Sequence, residues 1–149
     1  VRRISVAGTV LADTEQVTLA ARSSVTVPLP ASVSAATDAA AELLRADLGG
    51  VRGHWFFAEP RDTTLGAARL DTSLDRTQGG YRLTVTAATL TRDLSVLIDR
   101  LDPAAQVDDM LVTLLPGESV VFAITSAEEL DAAALTAPLV LRSANQLVR

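Results

Sequence analysis

Between Tyr81 and Ala87 the chain alternates strictly, with Tyr81, Leu83, Val85 and Ala87 set against Arg82, Thr84 and Thr86. Successive side chains of an extended segment point to opposite faces, so the pattern predicts a strand with one face buried. The same rhythm runs from Arg92 to Ile124. Leu94, Val96 and Ile98 alternate with Asp93, Ser95 and Asp99, and a second strand is predicted through Met110, Val112 and Leu114. Pro116-Gly117-Glu118 then turns the chain into a third strand through Val120, Phe122 and Ile124. Leu65 to Leu74 predicts a weaker strand before a polar turn over Asp75 to Gly80. Ser126 with Glu129 has the spacing of a capping box, which predicts a short helix over Ala127 to Leu135. Pro138 precedes a last strand, Leu139 to Ser143, and the tail is expected to fray after Asn145.

The first part of the chain is patterned less cleanly. Arg3 to Ala12 predicts one strand, with Ile4, Val6 and Val10 on one face. Val17 to Ala21 predicts a second and Val25 to Leu29 a third, ended by Pro28 and Pro30, which cannot donate to a ladder. Thr37 to Gly50 reads two ways. Asp38, a run of good helix formers and Gly49 together favour a helix. The alternative is a strand over Ala41 to Asp47, paired through Gly49-Gly50 with a strand through Trp55, and propensity is the weaker guide. The strand is the expectation, with a short helical turn before it. Glu59-Pro60-Arg61-Asp62 turns polar, and the proline imposes an extended residue before it, so the domain boundary is placed at residues 60 and 61.

The predicted fold is therefore all-β. Residues 61–149 carry about six or seven strands, which suits an immunoglobulin-like antiparallel β-sandwich. Residues 1–60 carry about five, which suits part of a second immunoglobulin-like module lacking its start. The N-terminus begins Val-Arg-Arg without Met or a signal pattern, and the expectation is a piece of a longer protein.

Composition narrows the function classes. A net charge of -5 argues against a nucleic-acid partner. No apolar run approaches the ~20 residues of a membrane span. There is no Cys, which excludes disulfides and thiolate sites and suits a reducing compartment. The expected location is cytoplasmic, with secretion from a bacterium as the alternative. Every basic side chain is Arg, for which a GC-rich genome is a simpler explanation than guanidinium chemistry.

Candidate chemistry is sparse. His54 is the sole histidine, and a metal site or a Ser-His-Asp triad would need partners that the sequence does not group with it. Asp108-Asp109 and Glu128-Glu129 are adjacent pairs, and neighbours in a strand point apart instead of flanking one glycosidic bond. Asp99 and Asp102 bracket Arg100 in a polar turn. Trp55-Phe56-Phe57 gathers three of the few aromatics. Their plain role is core and interdomain packing, and their functional one is a platform for stacking sugar rings. Trp55 and His54 are accordingly the carbohydrate-contact candidates. No catalytic, metal-binding or cofactor-binding residue is predicted.

Three segments carry a family likeness. The run VDDMLVTLLPGE resembles the "DN-x-F-x-L-L-P-G-E" strand and turn near the end of many β-mannosidases of the glycoside hydrolase family 2 type, with Asp109 where Asn is usual. Gly53 to Pro60 resembles the aromatic strand that leaves their penultimate immunoglobulin-like domain. Leu139 to Asn145 resembles their last strand, and the likeness extends from about Val6 to Val148 in the family's order. The resemblance implies a non-catalytic C-terminal accessory region of a β-mannosidase. The parent would be a retaining enzyme that removes terminal β-D-mannose through two glutamates in an α/β barrel outside this chain. It also implies that barrel as partner, with oligosaccharide a further candidate. Alternatives are an independent carbohydrate-binding or protein-interaction sandwich, or the same region of an exo-β-glucosaminidase.

Overall fold

The computed structural model of the chain describes residues 1–6 and 8–147, the side chains of Thr9 and Val10 excepted. It is an all-β protein divided into two compact units, Val1–Thr64 and Leu65–Arg149. The first holds β1 (Arg2–Ser5), β2 (Gly8–Ala12), β3 (Glu42–Leu48) and β4 (Val51–Phe56), with a one-turn helix α1 (Ala31–Ser34). The second holds β5 (Leu70–Thr77), β6 (Gly80–Ala87), β7 (Thr91–Val96), β8 (Gln106–Val107), β9 (Val112–Leu114), β10 (Ser119–Thr125), a short helix α2 (Ala132–Thr136) and β11 (Leu141–Arg142).

The second unit is an immunoglobulin-like antiparallel sandwich. One sheet runs β5-β6-β10-β8 and the other β11-β7-β9. The inward residues of β6 (Tyr81, Leu83, Val85, Ala87) meet Phe122 and Ile124 of β10, Leu94 and Val96 of β7, Leu114 of β9 and Leu141 of β11 in one core. Burial of this apolar area is the main favourable term in the fold. The register aligns the core: Phe122 lies opposite Leu83 and Ile124 opposite Tyr81. A two-residue turn, Gln78-Gly79, joins β5 to β6. At Gly80 a Cβ would overlap the Ile124 carbonyl of β10, so only glycine lets those backbones come together. At the other end of β10, Glu118 N–H donates to Leu115 O at 3.0 Å, with Pro116 and left-handed Gly117 (φ +84°) in the central turn positions.

Several local expectations are corrected. The strand predicted through Met110 starts only at Val112, because Leu111 is left-handed (φ 59°) and breaks the extended run. Ser126 caps no helix over 127–135. Its hydroxyl donates to Asp102 Oδ2 at 2.7 Å and accepts from Glu128 N–H at 3.1 Å in a local turn, and α2 begins later, capped by Asp131, whose Oδ1 accepts from Ala133 N–H at 3.1 Å. The strand expected from Leu65 is shifted to Leu70–Thr77 by its pairing with β6. The last strand shrinks to Leu141–Arg142, because Val140 and Leu141 N–H groups both donate to Ala137 O in a turn.

Nor does the chain fray just after Asn145. Asn145 is only 5 % exposed. Its Nδ2 donates to Gly66 O and Leu90 O, each at 2.8 Å, and its Oδ1 accepts from Arg92 N–H at 2.9 Å. One amide thereby ties the C-terminal 3₁₀ turn to the lead into β5 and the start of β7. Val148 and Arg149, part of the predicted tail, lie outside the described residues.

The first unit is a single sheet, ordered β2-β1-β3-β4. The one long strand expected over Arg3 to Ala12 is a hairpin instead, reversed between Ser5 and Gly8, where φ is +142° and Ser5 Oγ donates to Gly8 O at 3.0 Å. Ile4 is buried and Val6 exposed, whereas the Val10 side chain is outside the description. The strands expected at Val17–Ala21 and Val25–Leu29 do not form. A turn at Ala21-Arg22, with Arg22 left-handed (φ 58°), interrupts them, and Pro28 and Pro30 offer no donors. The ambiguous stretch resolves as a strand: β3 pairs with β4 through a Gly49-Gly50 turn whose φ values are +55° and +87°. Cross-strand partners thus prevail over helix propensity.

Burial divides unevenly. Among the described residues only Ile4, Val33 and Leu43 are buried apolar side chains of the first unit, and all the others lie in the second. Leu19, Val25, Leu48, Val51 and Trp55 of the first unit are each at least half exposed. For the second unit, Asn145→Ala should cost about 2–4 kcal/mol, since it removes three hydrogen bonds and strands two carbonyls and one N–H. Urea unfolding followed by near-UV circular dichroism measures this, and a loss below about 1 kcal/mol, the worth of one ordinary hydrogen bond, would contradict it.

Candidate functional site

The two sugar-contact candidates sit next to each other on β4, and the pleat separates them. His54 lies opposite Arg45 of β3 and Trp55 opposite Leu44, so they occupy opposite faces of the sheet. His54 is half-buried and Trp55 is 66 % exposed. They cannot line one binding site. Phe56 and Phe57 are half-buried, so of the aromatic triplet only Trp55 presents most of its surface to solvent.

The His54 face is charged. Arg2, Arg45, Asp47, Arg52 and His54 share it by register across β1, β3 and β4. Asp47 is the hub. Arg45 holds it through Nε at 3.0 Å and Nη2 at 2.9 Å, a bidentate clamp, and Arg2 Nη2 reaches it at 3.0 Å. Arg52 Nε stands at 3.8 Å. The Arg45 guanidinium beside it, seconded by Arg2, lowers the Asp47 carboxyl from its ordinary 3.8 to about 2. Arg45 is buried at 3 % exposure, and its pairing with Asp47 satisfies a charge that would otherwise be costly to bury. The arrangement anchors the sheet but groups no nucleophile or general acid. Its signal in the sequence was Arg45-x-Asp47, a two-residue spacing that places both side chains on one face only if the segment is a strand.

The Trp55 face differs in kind. Leu44 and Trp55, Ala46 and Gly53, then Leu48 and Val51 are successive cross-strand pairs along β3 and β4. Two apolar ridges flank a low step made by Ala46 and Gly53. The charges at the far end of this face, Arg3 and Glu42, are both buried. They pair with each other at 3.8 Å, while Arg3 also donates to Ala35 O and Glu42 accepts from Thr37 N–H at 2.9 Å. Beside Ala46 and Leu48, the extended segment 13–29 contributes Val17, Val27 and Leu29 to a cavity of about 280 Å³, with Asp13 and Glu15 also in its lining.

Of the six carboxylates weighed for glycosidase chemistry, Asp102, Asp108, Asp109 and Glu129 have a structural task. Asp108 Oδ1 accepts from Ala123 N–H, Asp109 Oδ1 from Met110 N–H, and Glu129 pairs with Arg76 at 2.9 Å. Asp102 accepts from the Ser126 hydroxyl and the Ala104 N–H, which lower its pKa in that order of importance. Among the described residues no group of three or more His, Cys, Asp or Glu could hold a metal ion. No described helix is long and apolar enough to cross a membrane. In comparisons with known proteins, neither a family model nor a curated protein matches this chain.

Because Asp47 titrates below an unfolded carboxylate, its contribution to stability is fully present above about pH 4 and is lost as pH falls through about 2. Carbon-detected NMR should place its midpoint near 2, and Arg45→Gln should move that midpoint toward 3.8. An unshifted midpoint in the wild-type chain would contradict the clamp.

Proposed function

We propose that this chain is the non-catalytic C-terminal accessory region of a β-mannosidase-like glycoside hydrolase of the family 2 type. The parent enzyme removes terminal β-D-mannose with retention, using two glutamates of its α/β barrel. The observation that carries the reading is the order of three motifs: the aromatic strand at Gly53–Pro60, the VDDMLVTLLPGE run, and the closing segment Leu139–Asn145. Their placement is compatible with it. The first falls on β4, the second on β9 and its Pro116-Gly117 turn, and the third on β11 and the Asn145 anchor. The separate structural engagements of Asp102, Asp108, Asp109 and Glu129 support an accessory role over a catalytic one, since glycosidic cleavage needs two carboxyl groups about 5–10 Å apart across one bond. The parent's barrel is then the partner of this region.

A second reading rests on Trp55, whose exposed indole could stack on a pyranose ring and make this an independent carbohydrate-binding module. The Trp55 face sets Leu44, Ala46, Leu48, Val51 and Gly53 of β3 and β4 around the indole, an apolar surface for stacking, with Asp13 and Glu15 in the lining of the cavity beside Ala46 and Leu48. An exo-β-glucosaminidase parent is the sister reading within the first class.

The isolated chain should neither hydrolyse an aryl β-mannoside nor release heat with mannose, mannobiose or longer manno-oligosaccharides in calorimetry. The polypeptide that carries this region together with a barrel should hydrolyse the mannoside. Turnover by the isolated chain that disappears in Asp108→Asn or His54→Ala would overturn the accessory role. Preference of the barrel-containing polypeptide for a β-glucosaminide would transfer the region to the sister enzyme.

A further inference from the structure

Leu94, Val96 and Leu141 point from the β11-β7-β9 sheet into the sandwich core, and the other side of that sheet carries a cavity of about 380 Å³. Register sets Arg142 of β11 directly opposite Ser95 of β7, and Asp93 and Leu97 stand on either side of Ser95 in the same lining. We propose that this cavity binds a small aliphatic monocarboxylate, its head paired with Arg142 and its chain lying against Leu97, Leu111 and Leu147. The inference is independent of the mannosidase reading.

Two backbone irregularities converge on the cavity. Arg92 and Asp93 form a bulge, two residues of β7 set against Thr113 of β9, and Asp93 is left-handed (φ 54°). Leu111, just before β9, is left-handed as well (φ 59°). Ser95 ties the two together: its hydroxyl donates to Asp93 O at 3.3 Å and accepts from Leu111 N–H at 3.1 Å. Among the described residues Arg22 is the only other non-glycine residue in this conformation. Aspartate tolerates it through local polar bonds, which leucine cannot make. Leu111 is also 66 % exposed, so no core burial offsets its strain. What the left-handed turn achieves is position, because it brings Leu111 into the cavity lining. Strain of this kind gathers at ligand sites.

The lining selects the ligand. Its volume falls in the ~300–1,000 Å³ range of small-molecule sites, and Leu97, Leu111, Ala144 and Leu147 make it largely apolar. Of its two charged residues, Asp93 is already paired, with Oδ2 3.3 Å from Arg92 Nε. Arg142 is half-buried and has no carboxylate partner among the described residues. Its Nε donates to Gln146 Oε1 at 3.3 Å, which steadies the guanidinium and leaves both terminal nitrogens for a ligand. A planar guanidinium fork matches the two oxygens of a carboxylate. A phosphate dianion would meet Asp93 with no second free cation to balance it, so the site suits a monoanion on an apolar body.

The test is titration of the chain with sodium octanoate, read by calorimetry and by backbone amide NMR, with octanol, octylamine, leucine and inorganic phosphate as comparisons. Octanoate should bind saturably in the millimolar range or more tightly, and should shift the amides of Leu97, Leu111 and Leu147. The comparison compounds should bind at least about tenfold more weakly. Arg142→Gln should weaken octanoate by about tenfold or more, since the charge-assisted pair is lost. Leu111→Gly accepts φ 59° without strain, so its melting temperature should be unchanged or higher while octanoate binds severalfold more weakly. It serves if Arg142→Gln fails to fold. No saturable shift at millimolar octanoate would overturn the proposal, as would binding that both variants leave intact. Octanol or octylamine binding as well as octanoate would overturn it in favour of an unselective apolar groove. Preference for leucine or phosphate would overturn the monocarboxylate assignment.

Discussion

The burial of one face of each β-sheet is the constraint on which this molecule turns, and its two units meet that constraint to different degrees. In the second unit the β5-β6-β10-β8 sheet and the β11-β7-β9 sheet cover each other, and Phe122, Leu83, Val85 and Leu94 lose all contact with water. In the first unit β2-β1-β3-β4 stands alone, and its few buried apolar groups are Ile4, Val33 and Leu43. Hydrogen bonding within that sheet is complete enough to define β3 and β4, but ladders alone contribute little net stability once water is counted as the competitor. On one face of the single sheet Ile4 and Leu43 are buried beside the Arg45–Asp47 clamp, whereas on the other Trp55 is 66 % exposed.

That asymmetry explains how the polar groups are used. Buried polar groups in the second unit act as joints between elements already fastened by the core. Asn145 links three backbone segments, Ser126 and Asp102 close one loop on another, and the Tyr81 hydroxyl accepts from Leu130 N–H at 2.8 Å. In the first unit the polar groups replace a core. Arg3, Glu42 and Arg45 are all buried, and each has a carboxylate, guanidinium or backbone partner, although the Arg3 Nε–H makes no hydrogen bond. Burying charge in this way is a poor source of stability compared with apolar packing of the same volume. The functional reading follows the same line. A scaffold that attaches to a larger body can leave a face open for it, whereas a catalytic site needs convergent groups held in a rigid pocket.

The strong alternations were legible from the sequence because they coincide with a fully formed core. Tyr81 to Ala87, Leu94 to Val96 and Val120 to Ile124 are strands whose every inward residue packs against the opposite sheet. The β3–β4 hairpin was legible only by overruling the helix-forming run AAAELLRADL, and Gly49-Gly50 was the local signal that justified doing so. Misreadings fall where a single side chain or backbone angle decides. Ser126 looked like a helix cap, and its hydroxyl does accept from Glu128 N–H, but only a local turn follows and the helix starts at Ala132 behind Asp131. Leu111 takes a left-handed conformation that no propensity for leucine would suggest. The strands expected at Val17 and Val25 alternate well enough, but a strand exists only where a neighbour supplies the other half of its hydrogen bonds. As for the site, alternation alone places His54 and Trp55 on opposite faces, whereas the Arg45–Asp47 clamp required the strand assignment first.

Amide hydrogen exchange, read segment by segment in dilute solution, tests most directly whether the two units differ in stability as their burial differs. The β6–β10 ladder should exchange slowly, because its protection comes from the sandwich's own core. The β3–β4 hairpin, with Trp55, Leu48 and Val51 exposed, should exchange much faster. Equal and strong protection of both segments would contradict this, since the first sheet would then be as stable as the sandwich without a comparable core.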